Sequence, residues 1–159
     1  MKQIFTASGD VFLVDDDDYI ELSKYRWYSL KTHNSIYAHR KTGYKNYDQQ
    51  LITMHREIMG NPPGLCIDHI NHNTQDNRKE NLRICTNAQN KRNSKKRVGR
   101  QYKGVYLSKR NKVKKYLSAI GVCGKTVWIG SYYTPEEAAL AYDNKAKELF
   151  GEYACLNFQ

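Results

Sequence analysis

The sequence predicts an α+β fold in two parts, and three observations carry that reading. From Tyr102 onward, three short strand-like runs are followed by one capped helix. Before residue 61, short apolar runs flank a single acidic helix start. Between them lies a stretch rich in Asn and His, which ends in a basic segment at 95–101. The expected division is 1–94, a basic linker at 95–101 and a second part at 102–159, each with a modest core.

Val11-Phe12-Leu13-Val14 is β-branched and aromatic and reads as a strand. Residues 15–24 open with four aspartates and carry Tyr19, Ile20 and Leu22. Negative charge suits a helix N-terminus, so a helix is expected there. The same aspartates are not read as a metal cluster, because successive helical positions do not converge. Residues 26–30 and 35–38 read as strands, and Asn61-Pro62-Pro63-Gly64 as a turn. Asp68 should end a short strand. Thr86-Asn87-Ala88-Gln89 is a capping signal, predicting a helix from Asn87 into Lys95. Residues 104–107, 116–120 and 126–129 read as three strands. Thr134 as N-cap, Pro135 at the first helical position and Glu137 three residues after the cap open a helix. Ala138, Ala141, Tyr142, Ala146 and Leu149 follow at helical spacing, and Gly151 ends it. Alternation assigns Tyr116, Ile120, Val127 and Ile129 to the core and Trp128 to the opposite face.

The chain has 159 residues and a net charge of +10, and its mean hydropathy is −0.81. No apolar run is long enough for a membrane span, and no apolar segment follows Met1-Lys2 as in a secretory signal. Cys66, Cys85, Cys123 and Cys155 form no CxxC pair, which disfavours zinc ribbons and disulfide scaffolds and suits a reducing cytoplasm, in a bacterium or a phage-infected host cell. The charge is concentrated. Between Asn81 and Pro135 stand five arginines and nine lysines without one Asp or Glu, a local +14. Ordinary surfaces intersperse both signs. A band of this kind suits phosphate neutralisation, and double-stranded DNA is the expected partner.

Chemistry concentrates in Cys66-Ile67-Asp68-His69-Ile70-Asn71-His72-Asn73, then Asn81-Leu82, then Asn90 in the capped helix. One carboxylate and one amide oxygen suit a hard, partly hydrated Mg²⁺ that also takes phosphate oxygens. A neighbouring imidazole can deprotonate water for attack on phosphorus. For any single Asn, an Asx turn is a sufficient explanation. The set at these intervals is not so easily explained.

Asp68-His69, the twelve-residue step to Asn81-Leu82, the nine further to Asn90 and the upstream Met54-His55-Arg56 resemble the HNH nuclease family, in particular the phage and intron-borne homing endonucleases. The resemblance implies a ββα-metal core at about 53–94. It makes His69 the general base and Asp68 and Asn90 the metal ligands, with Asn81 tying the loop and orienting His69. Asn90 stands where many relatives have His, which argues against zinc and for Mg²⁺, with Mn²⁺ or another divalent ion able to substitute. His55 is open between a role near the scissile phosphate and a structural hydrogen bond. His72 has no assigned role, and His33 and His39 read as surface or turn residues.

Tyr102-Lys103-Gly104-Val105, Val127-Trp128-Ile129-Gly130, Thr134 to Ala139, Ala141-Tyr142-Asp143 and Leu156-Asn157-Phe158 resemble the AP2/ERF DNA-binding domain. That resemblance implies a three-stranded antiparallel sheet lying in the major groove with one helix packed behind it. Lys103, Trp128 and Tyr142 fall at family contact positions, though Tyr142 suits helix packing equally. Arg83, Lys91, Arg92, Lys95, Lys96, Arg97, Tyr106, Arg110 and Lys115 complete the expected DNA contacts. The first hairpin is longer than in the plant proteins, and Tyr106 and Ser108 stand where those have arginines. More charge is therefore directed at phosphates than at bases.

The combined expectation is a metal-dependent DNA endonuclease, nicking or making double-strand breaks, targeted by an AP2-like domain. No organic cofactor and no membrane partner are expected, and the chain should act as a monomer or transient dimer. The rival reading is a DNA-binding regulator without nuclease activity.

Overall fold

Ten short strands, four α-helices and two single-turn 3₁₀ helices lie within the described residues of the computed structural model, 1–32, 34–43, 50–96, 98–109 and 113–158. They form four small antiparallel sheets. Contacts divide the chain into two units, Met1–Asn87 and Ala88–Gln159.

In the first unit, β1 (Lys2–Phe5) and β2 (Val11–Val14) form a hairpin, followed by α1 (Asp16–Leu22). β3 (Tyr28–Lys31), β4 (Ile36–Thr42) and β5 (Gln50–Thr53) make a sheet in that order. α2 (Met54–Ile58) leads to the pair β6 (Cys66–His69) and β7 (Leu82–Cys85). Ile4, Phe12, Val14, Leu22, Trp27, Ala38 and Met54 form the core. Trp27 is 1% exposed, and its indole N–H donates to the Leu22 carbonyl at 2.8 Å, so the largest core side chain also caps α1. The aspartates of α1 do more than meet a helix dipole. Asp15 Oδ2 accepts from the Lys79 backbone N–H at 2.8 Å, and Asp18 pairs with the Lys79 ammonium at 2.7 Å.

The helix expected from Asn87 into Lys95 is shorter. α3 (Asn87–Arg92) stops because its last carbonyls find other partners. The Ser94 hydroxyl donates to the Lys91 carbonyl at 2.7 Å, and the Lys103 ammonium to Arg92 O at 2.7 Å and Ser94 O at 2.5 Å. Residues 95–101 group with the second unit.

That unit holds β8 (Val105–Leu107), β9 (Tyr116–Val122) and β10 (Lys125–Tyr132), with β9 central, and α4 (Pro135–Phe150). α4 begins with a full capping box between Thr134 and Glu137. Ile120, Tyr142, Ala146 and Phe150 form the core, with Val122, Ile129, Ala154 and Leu156 packed against it. Val127, expected in that core, is 37% exposed instead: it stands opposite Ile120, but on β10, an edge strand with no neighbouring strand on its outer side. A bulge follows Trp128, with Ile129 as the extra residue. Gly104 has φ +76°, and a Cβ there would lie 1.9 Å from the Tyr142 ring, so only glycine lets this loop pass the aromatic.

The C-terminal segment is held by one carboxylate. Asp143, 2% exposed, accepts from Asn157 N and Phe158 N, each at 2.9 Å, and from the Asn157 amide at 3.0 Å. Asn157 in turn brackets Lys103, accepting from its N–H at 2.6 Å and donating to its carbonyl at 3.1 Å. Removing the carboxylate strands several part-buried donors, each costing about 1–3 kcal/mol. Asp143→Ala is expected to destabilise the second unit by about 3 kcal/mol in urea unfolding, and Asp143→Asn by less.

Candidate active site

The sequence from Cys66 to Cys85 contains little apolar material, yet it folds into two strands and a tightly bonded loop. β6 and β7 pair with Asp68 opposite Arg83 and His69 opposite Leu82. Ile67, Leu82 and Cys85 are buried and anchor the pair. Asp68 and His69 are each 6% exposed, an unusual depth for ionisable side chains.

Each is held by a specific partner. Arg83 donates to Asp68 Oδ2 through Nε at 2.9 Å and Nη2 at 2.7 Å. Such a charge-assisted contact is stronger than a neutral hydrogen bond. His69 Nε2 lies 3.1 Å from Asn77 Oδ1. Asn77 is 1% exposed, and its Nδ2 points to the Met54 sulfur at 3.7 Å, which fixes the amide orientation. Nε2 therefore carries the proton and Nδ1 is the basic nitrogen of the neutral ring. Burial is the main cause that moves the His69 pKa below its ordinary value, opposed by the Asn77 bond and the charges of Asp68 and Asp76.

Asn81 braces the loop. Its Oδ1 accepts from Asn71 N at 2.9 Å, its Nδ2 donates to Asp76 O at 2.8 Å, and its backbone carbonyl accepts from Ile70 N at 2.9 Å. Asp76, 3% exposed, takes both Arg78 Nε and Nη2 and the Asn71 amide. The loop is then stitched to β2 and β4. Leu13 N donates to Gln75 O and Asn77 N to Leu13 O, both at 2.8 Å, and Thr74 Oγ1 donates to Ile36 O at 2.8 Å.

His55 joins the site from the start of α2. Its ring centroid is 5.2 Å from that of His69, Tyr37 lies 5.5 Å from it, and its Nε2 is 3.2 Å from Thr53 Oγ1. Burial, then the neighbouring His69 and Arg56, push its pKa down to about 3. His72 sits on the outer loop with φ +62°. Asn90 is half-buried on α3 in the second unit.

The sequence reading did not single out Asn77, which touches the imidazole directly, because its residue type is common in Asx-rich loops. Asp76-Asn77-Arg78 before Asn81 was the available signal. The expected DNA contacts separate into groups. Trp128 is 56% and Tyr106 41% exposed. The register puts Tyr106, Leu117, Ala119 and Trp128 on one sheet face, opposite Ile120 and the helix. Lys91, Lys95, Lys96 and Lys115 are exposed. Four of the expected contacts have internal work: Arg83 holds Asp68, Lys103 caps α3, Arg92 lies over the Phe150 ring at 4.8 Å, and the Lys96 ammonium donates to Gln101 O at 2.7 Å. Tyr142 is 4% exposed and belongs to the core, so it serves helix packing. Arg97 and Arg110, with His33, lie outside the described residues.

One imidazole and one carboxylate thus stand side by side at the end of β6, against a loop locked by asparagines. A family model described as HNH endonuclease matches residues 57–92. An uncharacterized HNH endonuclease of Acanthamoeba polyphaga mimivirus is 34% identical over 158 residues, covering 95% of this chain and 76% of its own length. Dehydration-responsive element-binding protein 2E of Arabidopsis thaliana is 53% identical over 34 residues, 21% of this chain and 14% of that protein, a partial AP2/ERF-type match over the C-terminal region. No solved structure matches significantly. The chain belongs to the HNH endonuclease family.

Because the folded-state pKa of His55 lies below the unfolded value of about 6.5, the unfolded chain binds the proton first as pH falls. Its contribution to stability is intact above pH 6.5 and is lost from there towards pH 3, by up to about 1.4 kcal/mol per unit. Thermal melting between pH 7 and 4 should show a smaller decline for His55→Gln than for the native chain.

Proposed function

We propose that this protein hydrolyses DNA phosphodiester bonds, with the first unit cutting and the second supplying affinity and register. The observation that carries this reading is the buried His69, held by Asn77 in the tautomer that leaves Nδ1 basic, next to Asp68 on the same strand. Its lowered pKa keeps the ring neutral at pH 7, the form a general base needs. Family membership supports the reaction class.

A divalent cation belongs to the same proposal, since the family's nucleases are typically divalent-metal dependent. Asp68 offers a carboxylate, a hard donor. We assign Mg²⁺ to it. When bound, the ion supplies positive charge against the scissile phosphate and its leaving oxygen. The rest falls to the chain. Arg83 holds the Asp68 side chain in one orientation, Asn77 fixes the His69 ring, and Nδ1 takes a proton from the attacking water. Asn81 keeps the loop from moving His69 off its strand. The helix-free face of β8–β10, with Trp128 and Tyr106, is the proposed DNA surface of the second unit. Its AP2-like character rests on the short plant match and the exposed aromatics. A homing role belongs to the same proposal.

Incubation with plasmid and Mg²⁺, with EDTA as control, tests the reading. Loss of a general base costs about 10²–10⁴-fold. His69→Ala should therefore reduce cleavage by at least a hundredfold while duplex binding is retained; Mg²⁺-dependent cutting at the native rate would remove His69 from its role. Asn77→Ala, which deletes an orienting partner, should cost about 10–100-fold in rate. Trp128→Ala should weaken duplex binding about tenfold, read by fluorescence anisotropy, without changing the single-turnover rate of bound complex.

A further inference from the structure

A concave surface on the first unit is lined by none of the residues assigned to the proposed chemistry. Tyr25, Arg26, Tyr28, His39, Arg40 and Lys41 line a pocket of about 680 Å³. That volume is in the range of ligand sites. Tyr28 and His39 are cross-strand partners on β3 and β4, with rings 6.1 Å apart and tilted by 37°. Tyr25 and Tyr28 are 42% and 43% exposed. The Arg40 guanidinium stacks over Tyr25 at 3.9 Å while Glu57 receives both its Nε and Nη2 at 2.7 Å, so this wall is rigid and its charge is matched.

The other two cations differ. Arg26 lies 5.7 Å from the Tyr28 ring, and neither it nor Lys41 pairs with a carboxylate among the described residues. Among those residues no carboxylate lines the pocket. His39 Nδ1 is buried without a hydrogen-bond partner. Aromatic faces beside unmatched cations are the chemistry that takes a nucleotide: rings for base or sugar, cations for phosphate.

Position names which nucleotide. Tyr37 stands two residues before His39, on the same face of β4 and about 7 Å away along the strand. Its ring is 6.2 Å from that of His69. The pocket therefore lies within about four base steps of the imidazole, at roughly 3.4 Å per step.

We infer that this pocket is a second DNA contact of the first unit, taking a nucleotide of the cut strand a few steps from the scissile phosphate. The inference rests on the nuclease reading for its placement along DNA, but not for binding itself. Full-length variants Arg26→Ala/Lys41→Ala and Tyr28→Ala, assayed by anisotropy on a mixed-sequence 40-base-pair duplex in EDTA, test it without cleavage. The double variant should bind several-fold more weakly, and the slope of log affinity against log salt should fall by about two, since each neutralised phosphate contributes about 0.9. Tyr28→Ala should lose about tenfold, and Tyr28→Phe, which keeps the ring, should recover most of it. A charge control, Lys24→Ala/Lys145→Ala, removes two cations that already face Glu21 and Glu148 and should leave both readouts unchanged. Native affinity and slope in the pocket variants, or an equal loss in the control, would overturn the inference. Weakened pocket variants in a protein that cuts no DNA would keep the pocket and reject the nuclease reading.

Discussion

The first unit depends on one constraint: buried polar side chains must be satisfied where little apolar mass is available to offset them. Asp68, His69, Asp76, Asn77 and Asn81 are all buried within one short stretch of chain. An unpaired group at that depth costs about 1–3 kcal/mol. The loop answers by making each residue the partner of another. His69 leans on Asn77, Asn81 holds both ends of the loop, and Asp76 gathers Arg78 and Asn71. Partly satisfied, such a network would be worse than an apolar core; complete, it gives the imidazole a single orientation.

The second unit solves a similar problem with one carboxylate. Asp143 fixes Asn157 and Phe158, and Asn157 brackets Lys103, whose ammonium reaches back to close α3. This divides the positive band from Asn81 to Pro135 into two kinds of charge. Arg83 and Lys103 are spent inside the protein, and Arg92 lies on an aromatic ring. Lys91, Lys95 and Lys115 stand exposed on the surface. Net charge alone does not separate these roles, but burial does.

Much of this was legible from the sequence, for reasons particular to each element. The Thr134-Pro135-Glu137 start of α4 is local chemistry and needs no tertiary context. Asp68, His69, Asn81 and Asn90 stood out by type and interval. β7 was hidden because Leu82 to Cys85 alternates weakly, and its strand character comes from pairing with β6. Asn77 was hidden because its worth lies in what it touches. Val127 keeps the face that alternation assigns it, opposite Ile120, but stands on an edge strand, and alternation does not report which strand of a sheet lies at the edge. The end of α3 was set by Lys103, eleven residues beyond Arg92, which no local signal reports.

The bonds from Gln75 and Asn77 to Leu13 bear on how such proteins are assembled from parts. They are backbone contacts between the loop and a strand some sixty residues earlier, so a change of side chain does not remove them. A segment carrying only β6, the loop and β7 would arrive on a new scaffold with those donors and acceptors open. The opening hairpin is thus a frame and not a detachable prefix. Recombination that preserves the chemistry must carry the chain from β1 onward as one piece.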